Sequence, residues 1–202
     1  MNLGGRAALR TGPVSGMWYR AVEPGHVRTA LATSHSLFSP SRFSPATGVF
    51  AAFPVLYLAE NHLVALLEVG ALFAAVGPGG VLLPNPHRAW TLLNVHATLQ
   101  TVADLCDMAE QAKLSTTAQE LTGDWRGNHV RTPFCSVPAP TGPAPTQDLG
   151  QALHDLPGLE GFQAPSARMP THRNLIVFPT KLRPGSRIVF TDASTGQTHT
   201  IS

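Results

Sequence analysis

Apolar and polar positions fall along this chain in short blocks, most of them of strand length. Met17-Trp-Tyr-Arg-Ala-Val22 reads as an aromatic-rich strand with Arg20 inside it, ended by the turn Pro24-Gly25. Val55 to Ala59 is a short apolar run, the pattern of a buried strand. Asn61 then offers an N-cap, and Leu63, Val64, Leu66 and Leu67 cover a wide apolar face, so a helix is predicted over 62–70, closed by Gly70. Glu68 sits within that helix, between Leu67 and Val69. A carboxylate in such surroundings must be a solvated edge, a paired group or a chemical one.

Further strands are predicted at Trp90 to Leu99, with Ala103-Asp-Leu-Cys-Asp107 as its exit loop, at Phe162-Gln-Ala164, and at Asn174-Leu-Ile-Val-Phe178. Arg187-Ile-Val-Phe190 and His199-Thr-Ile201 form a predicted hairpin around Ser194-Thr-Gly196. Helices are predicted over 115–121, with a capping box from Thr116 to Gln119, and over 146–156, capped by Thr146 and ended by Pro157-Gly158. Residues 1–16 read as a loose lead-in, residues 17–202 as one domain, and the proline-rich stretch 132–145 as an extended internal loop. Strands outnumber helices, so the fold class is α+β: a mixed, bent sheet with flanking helices.

Composition narrows the function. Charged residues are 13% of the 202, against about 25% in an average soluble protein, and the net charge is +2 with the basic residues scattered. No Lys/Arg run could track a phosphate backbone, so direct nucleic-acid binding is not expected. The most apolar stretch, 63–83, holds Glu68, Pro78 and several glycines and makes a poor membrane span. The first ten residues hold no apolar block of signal-peptide length. A cytoplasmic protein is expected. Cys106 and Cys135 stand 29 positions apart outside any CxxC and read as reduced thiols. The nine histidines show no metal-ligand spacing, and no metal site is expected. The glycine-rich run 76–81 lacks the spacing of a dinucleotide loop and reads as a turn.

What remains is a set of polar residues in or beside apolar strands and rigid loops: Arg20, Arg42, Tyr57, Glu68 and Ser166, with Thr146 and Gln147 behind them. Each has a structural explanation alone: a sheet-edge ion pair for Arg20, a core ring for Tyr57, a turn cap for Ser166. Together, two arginines suit a diphosphate, a tyrosine ring suits a base, and a carboxylate suits positive charge developing at an anomeric carbon.

The order of these residues resembles the RES-domain family, the toxin half of bacterial Xre–RES toxin–antitoxin modules, named for an arginine, a glutamate and a serine. Trp18-Tyr19-Arg20 is similar to its aromatic-Arg strand, and Ser41-Arg42-Phe43-Ser44-Pro45 to its Gly-Arg-Phe/Trp-Asn-Pro motif. Leu56-Tyr57-Leu58-Ala59 with Glu68-Val69 matches the third motif, and Gly161-Phe-Gln-Ala-Pro165-Ser166-Ala167 the last. The second motif departs from the family by its serines, and Ala21 stands where some members carry an aromatic residue. The resemblance implies a fold similar to ADP-ribosyltransferase toxins and cleavage of the nicotinamide–ribose bond of NAD+, by phosphorolysis, by hydrolysis or by transfer of ADP-ribose to protein. An inactive relative acting as a binding partner is a further alternative. In the implied site Arg20 and Arg42 hold the diphosphate, Tyr57 stacks on nicotinamide or its ribose beside Tyr19, and Glu68 stabilises the oxocarbenium-like transition state. Ser166 bonds a phosphate or the acceptor, with Thr146 as its substitute and Gln147 nearby. The implied partners are NAD+, inorganic phosphate as a co-substrate, and an Xre-type antitoxin, in a toxin–antitoxin complex or a homo-oligomer.

Overall fold

In the computed structural model, residues 1–45, 53–74, 81–126 and 143–202 are described. Their strands, in chain order, are β1 (Thr11–Val22), β2 (Leu56–Ala59), β3 (Leu72–Ala74), β4 (Leu82–Pro84), β5 (Thr91–Asp104), β6 (Gly161–Pro165), β7 (Arg173–Val177), β8 (Arg187–Thr191) and β9 (Thr198–Ile201). The α-helices are α1 (His62–Glu68), α2 (Met108–Lys113), α3 (Ala118–Thr122) and α4 (Pro145–His154).

Seven strands make one sheet in the order β1-β2-β7-β6-β5-β8-β9, and β1 also pairs with β5. The sheet therefore curls until β5 returns to β1. That second contact is the longer one, an antiparallel ladder from Thr11↔Ala103 to Val22↔Thr91. On its other side β1 meets β2 at Tyr19↔Ala59 alone. β5 and β6 run parallel while the remaining pairs are antiparallel. The mixed, bent sheet expected from the sequence is present.

Burial on both faces explains why several strands read as unbroken apolar runs. One face of the sheet carries Trp18, Leu56, Leu58, Leu93, Val95, Leu175 and Val177. On the other face pack Phe43, Leu105, Leu149, Phe162, Ile176 and Phe178, with Tyr57 at the margin. Alternate residues of β2 and β7 thus feed two different cores. A fully buried carboxylate, Glu160, pins the curl: it accepts the amides of Gln100 (2.7 Å), Thr101 (2.8 Å) and Arg183 (2.8 Å).

Several boundaries differ from the sequence expectation. Residues 1–16 are not a loose lead-in: Leu3–Ala8 is a 3-10 helix and β1 begins at Thr11. Thr-Gly-Pro-Val-Ser-Gly has little strand propensity of its own, and its ladder with β5 imposes the conformation, with a register shift between Gly12 and Val14 that accommodates Pro13. β5 runs to Asp104, so the exit loop starts later than Ala103. Helix α2, capped by Asp107 accepting from the Ala109 amide (2.8 Å), had no prediction. α3 begins at Ala118, capped by Thr117 rather than Thr116, whose hydroxyl instead donates to Glu120 at 2.7 Å. α4 begins with Pro145 after Ala144, so Thr146 lies inside it, and the helix ends at His154. The β3–β4 hairpin also had no prediction. The β8–β9 hairpin, the Asn61 cap and the left-handed Gly70 (φ 71°) are as expected. Cys135, most of the 132–145 stretch and most of the glycine-rich run 76–81 lie outside the described residues.

Candidate active site

Glu68 is the last residue of α1, where a negative charge meets the negative end of the helix dipole. Such a carboxylate needs donors, and three converge on its Oε1. The Ser166 hydroxyl donates at 2.6 Å, the Ala167 amide at 3.1 Å and the Asn174 Nδ2 at 2.8 Å. Among the described residues no donor reaches Oε2. Glu68 is at once exposed and held, so neither a purely solvated edge nor a buried pair describes it.

Each donor is placed by the sheet. Asn174 stands on β7 between Ala59 of β2 and Ala164 of β6, on the face over which α1 packs through Val64 and Ala65. Ser166, fully buried, follows β6 directly. Its Oγ accepts the amides of Arg168 and Met169, both at 3.2 Å. With both lone pairs taken, its hydrogen is directed to Glu68. Asn174 was absent from the candidates drawn from the sequence. An amide opening the run Leu-Ile-Val-Phe was the available signal.

The second motif forms a tight turn against Tyr57. Ser41 and Ser44 exchange backbone hydrogen bonds, the Tyr57 hydroxyl pairs with Ser41 Oγ at 2.8 Å, and the Phe43 amide donates to the same hydroxyl at 3.1 Å. Ser41 thus closes the turn through its own side chain. From behind, the buried Gln147 donates its Nε2 to the Ser41 carbonyl at 2.9 Å, while its Oε1 accepts from Ala144. Gly150 of α4 faces the Phe43 backbone, where a Cβ would lie 1.9 Å from the carbonyl oxygen. Burial pushes the Tyr57 phenol up to about 12, against the smaller opposing effects of Ser41, Phe43 and Arg42.

Arg42 donates to the carbonyls of Leu121 (3.3 Å) and Gly123 at the end of α3. Burial lowers its pKa; Glu68 and Tyr57 oppose that shift, and Arg168 adds to it. Arg42 therefore lies within the fields of Glu68, Asp124 and Arg168, and among the described residues no carboxylate forms a direct ion pair with Arg42 or Arg168.

Arg20 is placed differently. Tyr19, paired with Ala59, shares the face of Asn174, so strand alternation turns Arg20 to the other face, that of Trp18 and Leu93. Its Nη1 donates to the Tyr57 carbonyl at 3.3 Å, and burial lowers its pKa to about 10. Among the described residues it touches neither Glu68, Arg42 nor Ser166. The two arginines are instead organised about Tyr57, Arg20 at its backbone oxygen and Arg42 through the turn clamped on its hydroxyl. Tyr19 meets His62 edge-on with ring centroids 6.1 Å apart. Thr146 is buried in the first turn of α4, and it is Ser166, not Thr146, that reaches Glu68.

Two described pockets lie elsewhere. One, of about 310 Å³, is lined by Arg10, Asp104 and Glu110; the other, of about 570 Å³, by Cys106, Met108, His172 and Arg173. No cluster of His, Cys, Asp and Glu among the described residues is arranged to hold a metal ion, and no described helix is long and apolar enough to cross a membrane.

The RES-domain family model matches residues 17–197. No curated protein matches the chain. Among solved structures, a chain in the crystal structure of the M. tuberculosis MbcT–MbcA toxin–antitoxin complex is similar, with a TM-score of 0.65 over 99% of this chain and 91% of that one. The two are 20% identical, a likeness that bears on the fold alone.

Proposed function

The chain belongs to the RES-domain family, and from that premise we propose that it is a toxin that cleaves the nicotinamide–ribose bond of NAD+. The observation that carries this reading is the state of Glu68: Oε1 engaged by Ser166, Ala167 and Asn174, and Oε2 without a donor among the described residues.

In this mechanism the glycosidic C–N bond breaks with its electron pair leaving on nicotinamide, and positive charge develops on the ribose. Oε2 of Glu68 faces that charge, and the three donors on Oε1 prevent the carboxylate from turning away. Arg42 holds the diphosphate, while Arg20, on the other face of β1, acts by fixing the Tyr57 backbone through its carbonyl; the Tyr57 ring bounds the nicotinamide end together with Tyr19. Ser166 has its hydrogen and both lone pairs committed, so it serves by positioning Glu68 rather than by touching the acceptor. Oxygen from phosphate or water then adds at the anomeric carbon. Gln147 supports the Arg42 turn from α4. A protein antitoxin of the Xre type is the proposed partner, in keeping with the toxin–antitoxin complex in which the structural neighbour was crystallised.

The test is nicotinamide released from NAD+ by the purified protein, with and without inorganic phosphate. Release that rises with phosphate supports phosphorolysis, and release independent of phosphate supports hydrolysis. ADP-ribose found on protein rather than free in solution replaces this reading with protein ADP-ribosylation. NAD+ binding with no turnover under any condition overturns the enzymatic assignment.

A further inference from the structure

The two halves of the Glu68–Ser166 pair come from segments far apart in sequence, and one contact ties those segments together away from the carboxylate. The segment 166–172 is a closed loop: the Ser166 amide donates to the His172 carbonyl (2.8 Å), and the His172 amide to the Met169 carbonyl (2.8 Å). At its closing end His172 Nδ1 lies 3.2 Å from Nδ2 of Asn61. Asn61 is the N-cap of α1, the helix that ends in Glu68, and its Oδ1 accepts the Val64 amide at 2.9 Å.

That cap bond fixes the direction of the Asn61 amide. With Oδ1 committed to the helix, the NH2 group faces His172, so His172 Nδ1 must present a lone pair and carry its hydrogen on Nε2. The contact therefore requires the neutral ring. Protonation would set N–H against NH2, with the Glu60 carboxylate Oε2 3.7 Å from Nδ1. Glu60 is itself engaged by Arg173, through its amide at 2.7 Å and its side chain at 3.8 Å, and Arg173 also reaches Asp104. On the pocket side, Cys106 is kept as a neutral thiol by burial, and Met108, Gln111 and Thr116 carry no charge.

We propose that His172 and Asn61 are positioning residues that latch the Ser166 loop to the first turn of α1, and that the latch holds only while His172 is neutral. Closed, it keeps the Ala167 amide and the Ser166 hydroxyl on Oε1 of Glu68. Open, it leaves the helix cap intact and frees the loop. The activity arm of the test rests on the proposed NAD+ cleavage; the structural arm does not.

The structural arm is amide hydrogen exchange at Ala167, Arg168 and Met169. Exchange at these amides should rise in His172→Ala and stay near wild type in His172→Gln, whose side-chain oxygen can accept from Asn61 without titrating. The second variant is Asn61→Asp, which keeps a good N-cap but removes the N–H donor. A carboxylate there attracts the protonated ring and repels the neutral one, so the pH dependence of protection should invert between about pH 8 and about pH 5, the range over which histidines change charge.

In the activity arm, nicotinamide release should fall in kcat with little change in KM in His172→Ala, by roughly tenfold for one lost positioning hydrogen bond. His172→Gln should restore it and flatten the acid limb. Unchanged protection of the three amides in both His172→Ala and Asn61→Asp overturns the latch, whether or not the protein cleaves NAD+. Altered protection with no nicotinamide release from the wild type leaves the latch standing and removes the enzymatic reading.

Discussion

The Ser166 hydroxyl lies 2.6 Å from Oε1 of Glu68, across 98 positions of sequence. Ser166 receives two amides and gives its hydrogen to the carboxylate, so the pair has a fixed direction. Its effect is to hold Glu68 by Oε1, with no donor on Oε2 among the described residues.

Glu68→Gln keeps the size of the side chain and removes its charge. If Oε2 stabilises the oxocarbenium-like transition state, the barrier rises by about 2–4 kcal/mol and kcat for nicotinamide release falls by roughly thirtyfold to a thousandfold. KM for NAD+ should change little. Activity within a few-fold of wild type would remove Glu68 from the chemistry.

Asn174→Asp places a second carboxylate against Oε1, while Ser166→Ala deletes one donor and leaves the Arg168 and Met169 amides without their acceptor. The first should be the more damaging to nicotinamide release, because like charges repel where a bond existed. The second should lower thermal stability by about 1–3 kcal/mol as well as activity. Thermal melts and release assays on both variants decide the order.

The Tyr57 phenol, raised from 10.0 to about 12 by burial, links pH to stability. Its folded-state value is the higher one, so the stabilisation is fully present below the unfolded value near pH 10 and is lost as pH rises towards 12. The chain has two tyrosines, Tyr19 and Tyr57. In an ultraviolet titration the step near 12 should therefore vanish in Tyr57→Phe. The same variant loses the clamp on Ser41 and the Phe43 amide, and KM for NAD+ should rise through the displaced Arg42 turn.

Gly150→Ala tests how the Arg42 turn is seated. Its new methyl would lie 1.9 Å from the Phe43 carbonyl oxygen, a backbone atom with no rotamer to yield. α4 and the turn must separate, which should cost about 1–3 kcal/mol of stability and weaken NAD+ binding. An unchanged melting temperature with unchanged KM would show that the turn does not depend on this contact.

The sequence determined what is set by neighbours along the chain. Asn61 caps α1 because its side chain reaches an amide three residues on, Gly70 closes the helix because it takes the left-handed conformation, and the apolar runs of β2 and β7 are buried because both their faces are. The order of its short motifs also led from these residues to the RES family. Local pattern misplaced the start of β1, whose weak strand residues are held by β5, and it gave no sign of α2, a six-residue helix capped by Asp107. Only the tertiary structure decided which candidates meet. It brought Ser166 to Glu68 and passed over Thr146, put Arg20 on the opposite sheet face from Tyr19 and Asn174, and added Asn174, His172 and Asn61. The physical reason is the reach of each interaction: a cap or a strand pattern is fixed within a few residues, whereas the donors on a carboxylate are chosen by the pairing of strands nearly a hundred residues apart, and that pairing is a property of the whole sheet.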